Sequence, residues 1–409
     1  MEKWKEYKIG DICRIKHGFA FKGIHFVDEP QKYVCLTPGN FALKGGFKND
    51  KPKYYNGPIP EDYVLQKDDL VVTMTDLSKN GDTLGYSALI PYDEHYIFLH
   101  NQRIGLIEDI STDIDKHFLY WVMRTYDYQR YIVGHCSGST VKHTSPSGIG
   151  SYIFRCPEMK MQKEIASVLD NLDDKIKVNR RINDNLEQQA QALFKHWFVD
   201  FGPFKNGEFV DSVLGRIPKG WRVQYYSDII DIMPGGTPST TINEYWNNGN
   251  IPFFSPKDVN GIYCFNTEKS ITNEGLNHCS SKLYPKDTLF ITARGTVGKI
   301  VLAGVPMAIN QSNYALAAKG GIGKYYLYLL THSLVSILLK KANGAVFSAI
   351  TTKDFKEPII SPSTDIISQF ENIINPLFNA IYNNTKESRR LAHLRDTLLP
   401  KLMSGQIKL

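Results

Sequence analysis

Residues 165–176, IASVLDNLDDKI, open a stripe of apolar positions spaced alternately four and three apart. The stripe runs Ile165, Leu169, Leu172, Ile176, Asn179, Asn183, Leu186, Ala190, Leu193 and Trp197. This is the a/d spacing by which one helix packs along another. A second stripe in the same register runs Phe370, Ile374, Leu377, Ile381, Asn384, Ser388, Leu391, Arg395, Leu398 and Leu402. One such stripe is satisfied by packing on its own domain. Two matching stripes, each sustained over about four heptads and polar in the middle, predict an intramolecular helix pair. Asn at such positions costs stability and fixes register and partner.

The stripes belong to a larger repeat. KDDLVVT at 67–73 returns as KDTLFIT at 286–292, NQR at 101–103 as NQS at 310–312, and KHFLYWV from Lys116 as KYYLYLL from Lys324. Gly138 in GSTVKHTSPSGIGSYIF faces Gly344 in GAVFSAITTKDFKEPII. Order is kept throughout, so the chain is a tandem duplication whose loops differ in length. The runs DLVVTMT, TLFITA, YIFRCP and EPIISP are rich in β-branched residues and bounded by Gly, Pro, Asn or Asp, which predicts strands. HFLYWVMRTYDYQRYI and KYYLYLLTHSLVSILLKKA are helix-length and amphipathic. The fold class expected is α+β, a domain dominated by short antiparallel strands and long loops and present twice. The expected domains are 1–157, a first long helix at 158–200, a linker and second domain at 201–362, and a second long helix with its tail at 363–409. Pro400 and Gly405 are expected to stop the second helix.

A helix of about 33 residues spans roughly 50 Å, or one to one and a half turns of B-DNA. Antiparallel pairing would hang the two domains at opposite ends, related by a pseudo-two-fold axis. The pair then reads as a spacer between two similar readers.

At 409 residues the chain exceeds one ordinary core. Hydrophobic residues at 42% and charged residues at 22% are globular values, and no run of about 18 apolar residues offers a membrane span. MEKWKEYKIG lacks the apolar region of an export signal. The six scattered cysteines have no zinc spacing and read as reduced thiols of a cytoplasmic protein. A net charge of +6 suits a polyanionic partner without requiring one.

Catalytic signatures fall short. ARGTVGKI at 293–300 has Ala293 where a phosphate-binding loop needs its first glycine and Ile300 where it needs Ser or Thr. NPLF at 375–378 approaches an amino-methyltransferase signature but has Leu377 in its third place and lies on the helix seam. DFG at 200–202 stands without the other kinase elements. The polar loops beside the strands are more informative, because Asn and Gln suit adenine edges, Arg and Lys suit guanine or phosphate, and hydroxyls suit either. The candidate DNA-binding residues are Thr37, Asn40, Thr75, Lys79, Asn80, Asn101, Gln102, Arg103, Lys142 and His143 in the first copy. In the second they are Ser255, Lys257, Arg294, Thr296, Lys299, Asn310, Gln311 and Ser348. For each one the plainer reading stays open: Arg294 as an ion-pair partner, Asn101 and Asn310 as turn caps, Gly138 and Gly344 as positive-φ residues.

The chain resembles the specificity subunit of a Type I restriction-modification enzyme over its whole length. The resemblance rests on WKxYKIGDI at 4–12 and WRVQYYSDI at 221–229, which open the repeats. PxxxxQKEIASVLDxLDxKI at 157–176 and LRDTLLPKLMSGQI at 394–407 close them. It implies two target-recognition domains, each reading one part of a bipartite, asymmetric double-stranded DNA target. It also implies docking of two methyltransferase subunits, and of motor-nuclease subunits in the full complex. Catalysis would then lie with the partners: S-adenosylmethionine on the modification subunits, ATP and Mg²⁺ on the motor subunits, and no cofactor or metal in this chain. Pro376 departs from the pattern and is expected to kink or delay the second helix. Two other readings remain: a self-contained DNA methyltransferase or nuclease, which would bind S-adenosylmethionine alone, and a protein- or glycan-binding scaffold, which would retard no duplex DNA.

Overall fold

The computed structural model describes residues 4–78, 80–341, 349–407 and 409. The chain divides into two compact units, residues 1–175 with 391–409, and residues 176–390. Two helices of 40 residues, Met159–Phe198 and Thr364–Met403, each contribute one end to either unit.

In the first unit a short strand Lys5–Lys8 pairs antiparallel with Ile153–Cys156, the strand that leads into the first long helix. A four-stranded sheet follows in the order Arg14–His17, Ile104–Glu108, Leu70–Thr73, Ser87–Leu89. A second sheet contains the parallel pair Tyr33–Cys35 and Ile97–Leu99. The second unit repeats this plan. Arg222–Tyr225 pairs with Pro358–Ser361, and Ile230–Pro234, Asn313–Ala318, Leu289–Thr292 and Ile300–Ala303 adjoin in the equivalent order. Ile251–Phe254 and Ala308–Ile309 form the equivalent parallel pair. The duplication therefore extends to strand order and pairing. Antiparallel pairing dominates both units, as expected, and the long connections permit these parallel pairs beside it.

The four β-branched runs are strands as expected, because each carries side chains buried in a core. Leu70, Val71 and Val72, and likewise Leu289, Phe290 and Ile291, are at most 2% exposed. The segment HFLYWVMRTYDYQRYI is not one helix but two, Lys116–Val122 and Tyr126–Gly134. Thr125 is extended, and its Oγ1 accepts from the Tyr128 amide, so a new N-cap interrupts the run. Its counterpart Lys324–Lys341 is continuous.

The first long helix packs antiparallel on the second within each unit. In the first, Asp173 accepts from Arg395; in the second, Asn179 reaches Glu387 and Ser388, Asn183 reaches Thr385, and Phe194 and Phe198 lie against Phe370. Of the seam residues, Ile165, Leu169, Phe370, Ile374 and Ile381 are buried, while Leu172, Ile176, Leu186, Leu377 and Leu391 are half-buried. Ala166, Phe194, Ile367 and Phe378 are buried beside them. The buried stripe is wider than a two-helix seam because each helix also covers a domain core.

Pro376 does not delay the second helix and Pro400 does not stop it. The second helix begins at Thr364 and runs through Pro376 and Pro400 to Met403. Pro376 and Asn372, whose carbonyl it leaves without an amide, are both exposed. The helix ends at Gly405, with φ +71°. The Gly405 amide donates to Leu402 O and the Gln406 amide to Lys401 O.

All six cysteines are free, three of them buried, and burial raises the Cys35 thiol to about 11. Among the described residues no helix is long and apolar enough to cross a membrane.

Polar groups fasten the helices to their domains. In the first unit Asp173 lies 3.6 Å from Arg124 of the domain and also receives Arg395, which bridges to Asp396; Asp396 in turn accepts from Lys44 at 2.7 Å. The Arg124, Asp173 and Arg395 side chains are largely buried, so removing one of them strands a charge. Arg395→Ala is expected to destabilise the first unit by about 3 kcal/mol, read as a lower urea midpoint, and adding Asp173→Leu is expected to recover none of the loss, because it strands Arg124 in turn.

Candidate nucleic-acid interface

A parallel strand pair places the loops that follow its two strands at the same end. In the first unit these loops hold Thr37–Asn40 and Asn101–Arg103. A third, at residues 74–76, joins them where the Met74 amide donates to Arg103 O at 2.9 Å. A fourth joins through Lys142–His143, which pairs with Thr75–Asp76, and Thr75 Oγ1 lies 3.2 Å from His143 Nδ1. The second unit gathers the equivalent loops: Ser255–Asp258, Asn310–Ser312, and Ala293–Arg294, whose amides donate to Ser312 O at 2.8 and 3.2 Å. Arg294 bridges Ala349 on its other side.

Within this end, the side chains divide into a frame and a tip. Thr37 and Asn40 close a capping box around Pro38–Asn40: Asn40 Oδ1 accepts from the Thr37 amide at 2.9 Å, and its Nδ2 donates to Lys48 O. Ser255 and Asp258 build the same box, with Asp258 Oδ2 accepting from the Ser255 amide and hydroxyl at 2.7 Å each. Asn101 accepts from the Arg103 amide and Asn310 from the Ser312 amide, so both cap turns. Asn40, Thr75 and Asn101 are buried. Asp76 is buried too, and although burial opposes it, hydrogen bonds from Thr83 and Ser78 hold its carboxyl below the usual range and tie those two residues to it.

The exposed set is Asn80, Gln102, Arg103 and His143 in the first unit, and Lys257, Arg294, Thr296, Lys299 and Gln311 in the second. Lys142 is half-buried, with its Nζ 3.8 Å from Cys136 Sγ. Lys257 keeps a loose ion pair with Glu268 at 3.8 Å. Lys79 and Ser348, with Gly344, lie outside the described residues.

The residue pattern did not single out the loops that begin at Gly18 and Gly235. A Cβ on either glycine would stand 2.0 Å from a carbonyl oxygen, that of Asn101 or of Asn310, so the backbone lies directly on the Asn turn. Phe19 is partly exposed and packs on Phe21 and Tyr63, and Thr237 donates to Gln311. The two glycines were the available signal.

Two units of one topology, each presenting at one end a rigid turn frame with polar and cationic tips, define a duplicated recognition protein. Residues 1–188 and 218–388 match the family model described as the Type I restriction modification DNA specificity domain. The chain belongs to that family. It is 30% identical to the Type I restriction enzyme MjaIX specificity subunit of Methanocaldococcus jannaschii, over 72% of this chain and 69% of that one. It is 27% identical, over the full length of both, to the HindI specificity subunit of Haemophilus influenzae. Among solved structures it shares the fold of a Type I restriction-modification S subunit from M. genitalium, with a TM-score of 0.53, 17% identity and coverage of 98% and 96%.

The frame has its own test. Asp258→Ala removes an acceptor used by Ser255 and by the Glu268 amide. It is expected to destabilise the turn by about 1 kcal/mol, read as faster amide hydrogen exchange at both residues while the distant core is unchanged.

Proposed function

We propose that this chain is the DNA-recognition subunit of a Type I restriction-modification complex and reads a bipartite, asymmetric target, one part with each unit. One observation carries the reading: the two units share strand order and turn frame but differ at the tips. Thr75 in one stands where Arg294 stands in the other, Arg103 where Ser312 stands, and His143 where Ala349 stands. The same frame with different side chains reads different bases.

The chain is non-catalytic in this reading. It docks two methyltransferase subunits that carry S-adenosylmethionine, and motor-nuclease subunits that carry ATP and Mg²⁺, in the cytoplasm. Family membership supports these partners, as do relatives that are themselves named specificity subunits of restriction enzymes. The proposal carries over the expectation that the helix pair sets the gap between the half-sites.

Methylome sequencing with and without the gene tests the whole reading. Loss of one two-part motif is the expected result, and an unchanged methylome overturns it. Arg294→Ala in the assembled methyltransferase is expected to cost about 1–3 kcal/mol if it contacts a base, with relaxed preference at one position of one half-site. If it contacts phosphate, the salt slope falls by about 0.9 with no change in preference. Adding one heptad to both long helices is expected to lengthen the spacer by about three base pairs, read from the methylated motif.

A further inference from the structure

Each unit opens on a tryptophan directly before the strand that pairs with the strand leading into a long helix: Trp4 before Lys5–Lys8, and Trp221 before Arg222–Tyr225. Their surroundings differ. Trp221 is 7% exposed, because the chain leaving the first long helix turns through Gly202–Phe204 and lays two rings on it. Phe201 lies 5.5 Å and Phe204 5.0 Å from the Trp221 ring, and Phe204 also meets Trp197 at 5.9 Å. Three residues past the end of the second long helix, where the first has Phe201, the chain has Gln406. Trp4 is met by Gly405 and stays half-exposed.

Beside Trp4 the first unit holds a cleft of about 630 Å³. Trp4, Met403 and Ser404 form one wall, and Tyr126, Phe154 and Arg155 lie around the rest. That wall corresponds by position to Trp221, Phe198 and Val199; of these, Trp221 carries Phe201 and Phe204 in the second unit and also meets Phe198. The same framework is thus covered by the protein's own aromatic residues in one unit and open in the other.

We propose that this cleft binds an aromatic-bearing polypeptide segment of a methyltransferase subunit, which seats a ring on Trp4 as Phe201 and Phe204 seat on Trp221. The inference rests on the docking reading above and names where that docking occurs on the first unit. The counterpart argues for polypeptide: the rings that cover Trp221 arrive on a Gly-Pro turn, and burying such rings on tryptophan is a strong source of interface affinity.

Two measurements on the full chain test it. The probe is a peptide of residues 198–205, FVDFGPFK, titrated against tryptophan fluorescence. It is expected to bind the wild-type chain, to lose about tenfold in affinity with Ser404→Trp, which grows a plug from the wall, and to compete with the methyltransferase subunit. Gln406→Phe, which restores the cover found in the second unit, is expected to act in the same way. In native mass spectrometry the wild-type chain is expected to hold two methyltransferase subunits and each plugged variant one. Circular dichroism identical to wild type shows that the variants fold. If both variants hold two subunits with unchanged affinity, or if the peptide does not bind, the proposal is overturned. A wild-type chain that holds no methyltransferase subunit overturns the docking reading itself, an outcome distinct from failure of the plugged variants.

Discussion

The arrangement of the first unit depends on Asp173, a carboxylate held where water barely reaches it. Only 10% of its side chain is exposed, so the helix that carries it cannot dock unless cations arrive from the surrounding elements. Arg124 comes from the domain and Arg395 from the other long helix. Arg124 is itself positioned by Lys44 O and Tyr120, and its guanidinium lies 4.2 Å over the Trp121 ring. Burial opposes ionisation of Asp396, yet hydrogen bonds from Lys44 and Arg395 hold it below the usual carboxylate range. The geometry of one domain and two helix ends is therefore tied to one network. A register shift of either helix would strand a buried charge.

The second unit solves the same problem with less charge. The Glu371 carboxylate, on the second helix, accepts from the Tyr325 and Tyr326 amides at 2.8 and 2.7 Å and so caps the helix Lys324–Lys341. Burial raises its pKa, and the two amides pull it back. Gly323 leaves room for that carboxylate: a Cβ there would stand 2.0 Å from it. Glu187 on the first helix accepts from Tyr328. Asn179, Asn183 and Asn384 supply the polar seam, where each amide needs a particular partner across the pair. Both units thus set register by polar groups, and apolar burial supplies most of the adhesion.

What was legible in the sequence was whatever one local periodicity controls. The strands at Leu70–Thr73 and Leu289–Thr292 and the two long helices follow from runs whose side chains meet a single core. The break at Met123–Thr125 was not read, because its apolar flanks continue the helical pattern and only the capping tendency of Thr125 opposes it. Pro376 does not delay the second helix, and it sits with Asn372, whose carbonyl it leaves without an amide, on an exposed stretch of that helix. At the loop end, Thr, Asn and Ser suit both capping and base reading, so residue type alone could not separate Asn40 from Gln102. Burial separates them. The cleft beside Trp4 had no local signature at all, since its wall joins residue 4 to residues 403 and 404.

The duplication supplies a comparison that stands in for a second protein. Where both units keep a residue of the same hydrogen-bonding kind and commit it to backbone, as with Thr37 and Ser255, Asn40 and Asp258, or Asn101 and Asn310, the residue holds the frame. Where the counterparts differ in charge or size and are exposed in one unit or both, as with Gly39 and Lys257 or Arg103 and Ser312, the position is free of the fold. Sequence-specific contacts must come from positions that can vary without unfolding the turn, because a reader that altered its caps to change specificity would lose the rigidity that makes a bidentate contact selective. The same reasoning applies to the two tryptophans. A framework side chain kept in both units but covered by rings in only one has kept its place in the fold, and its cover is what differs between the units.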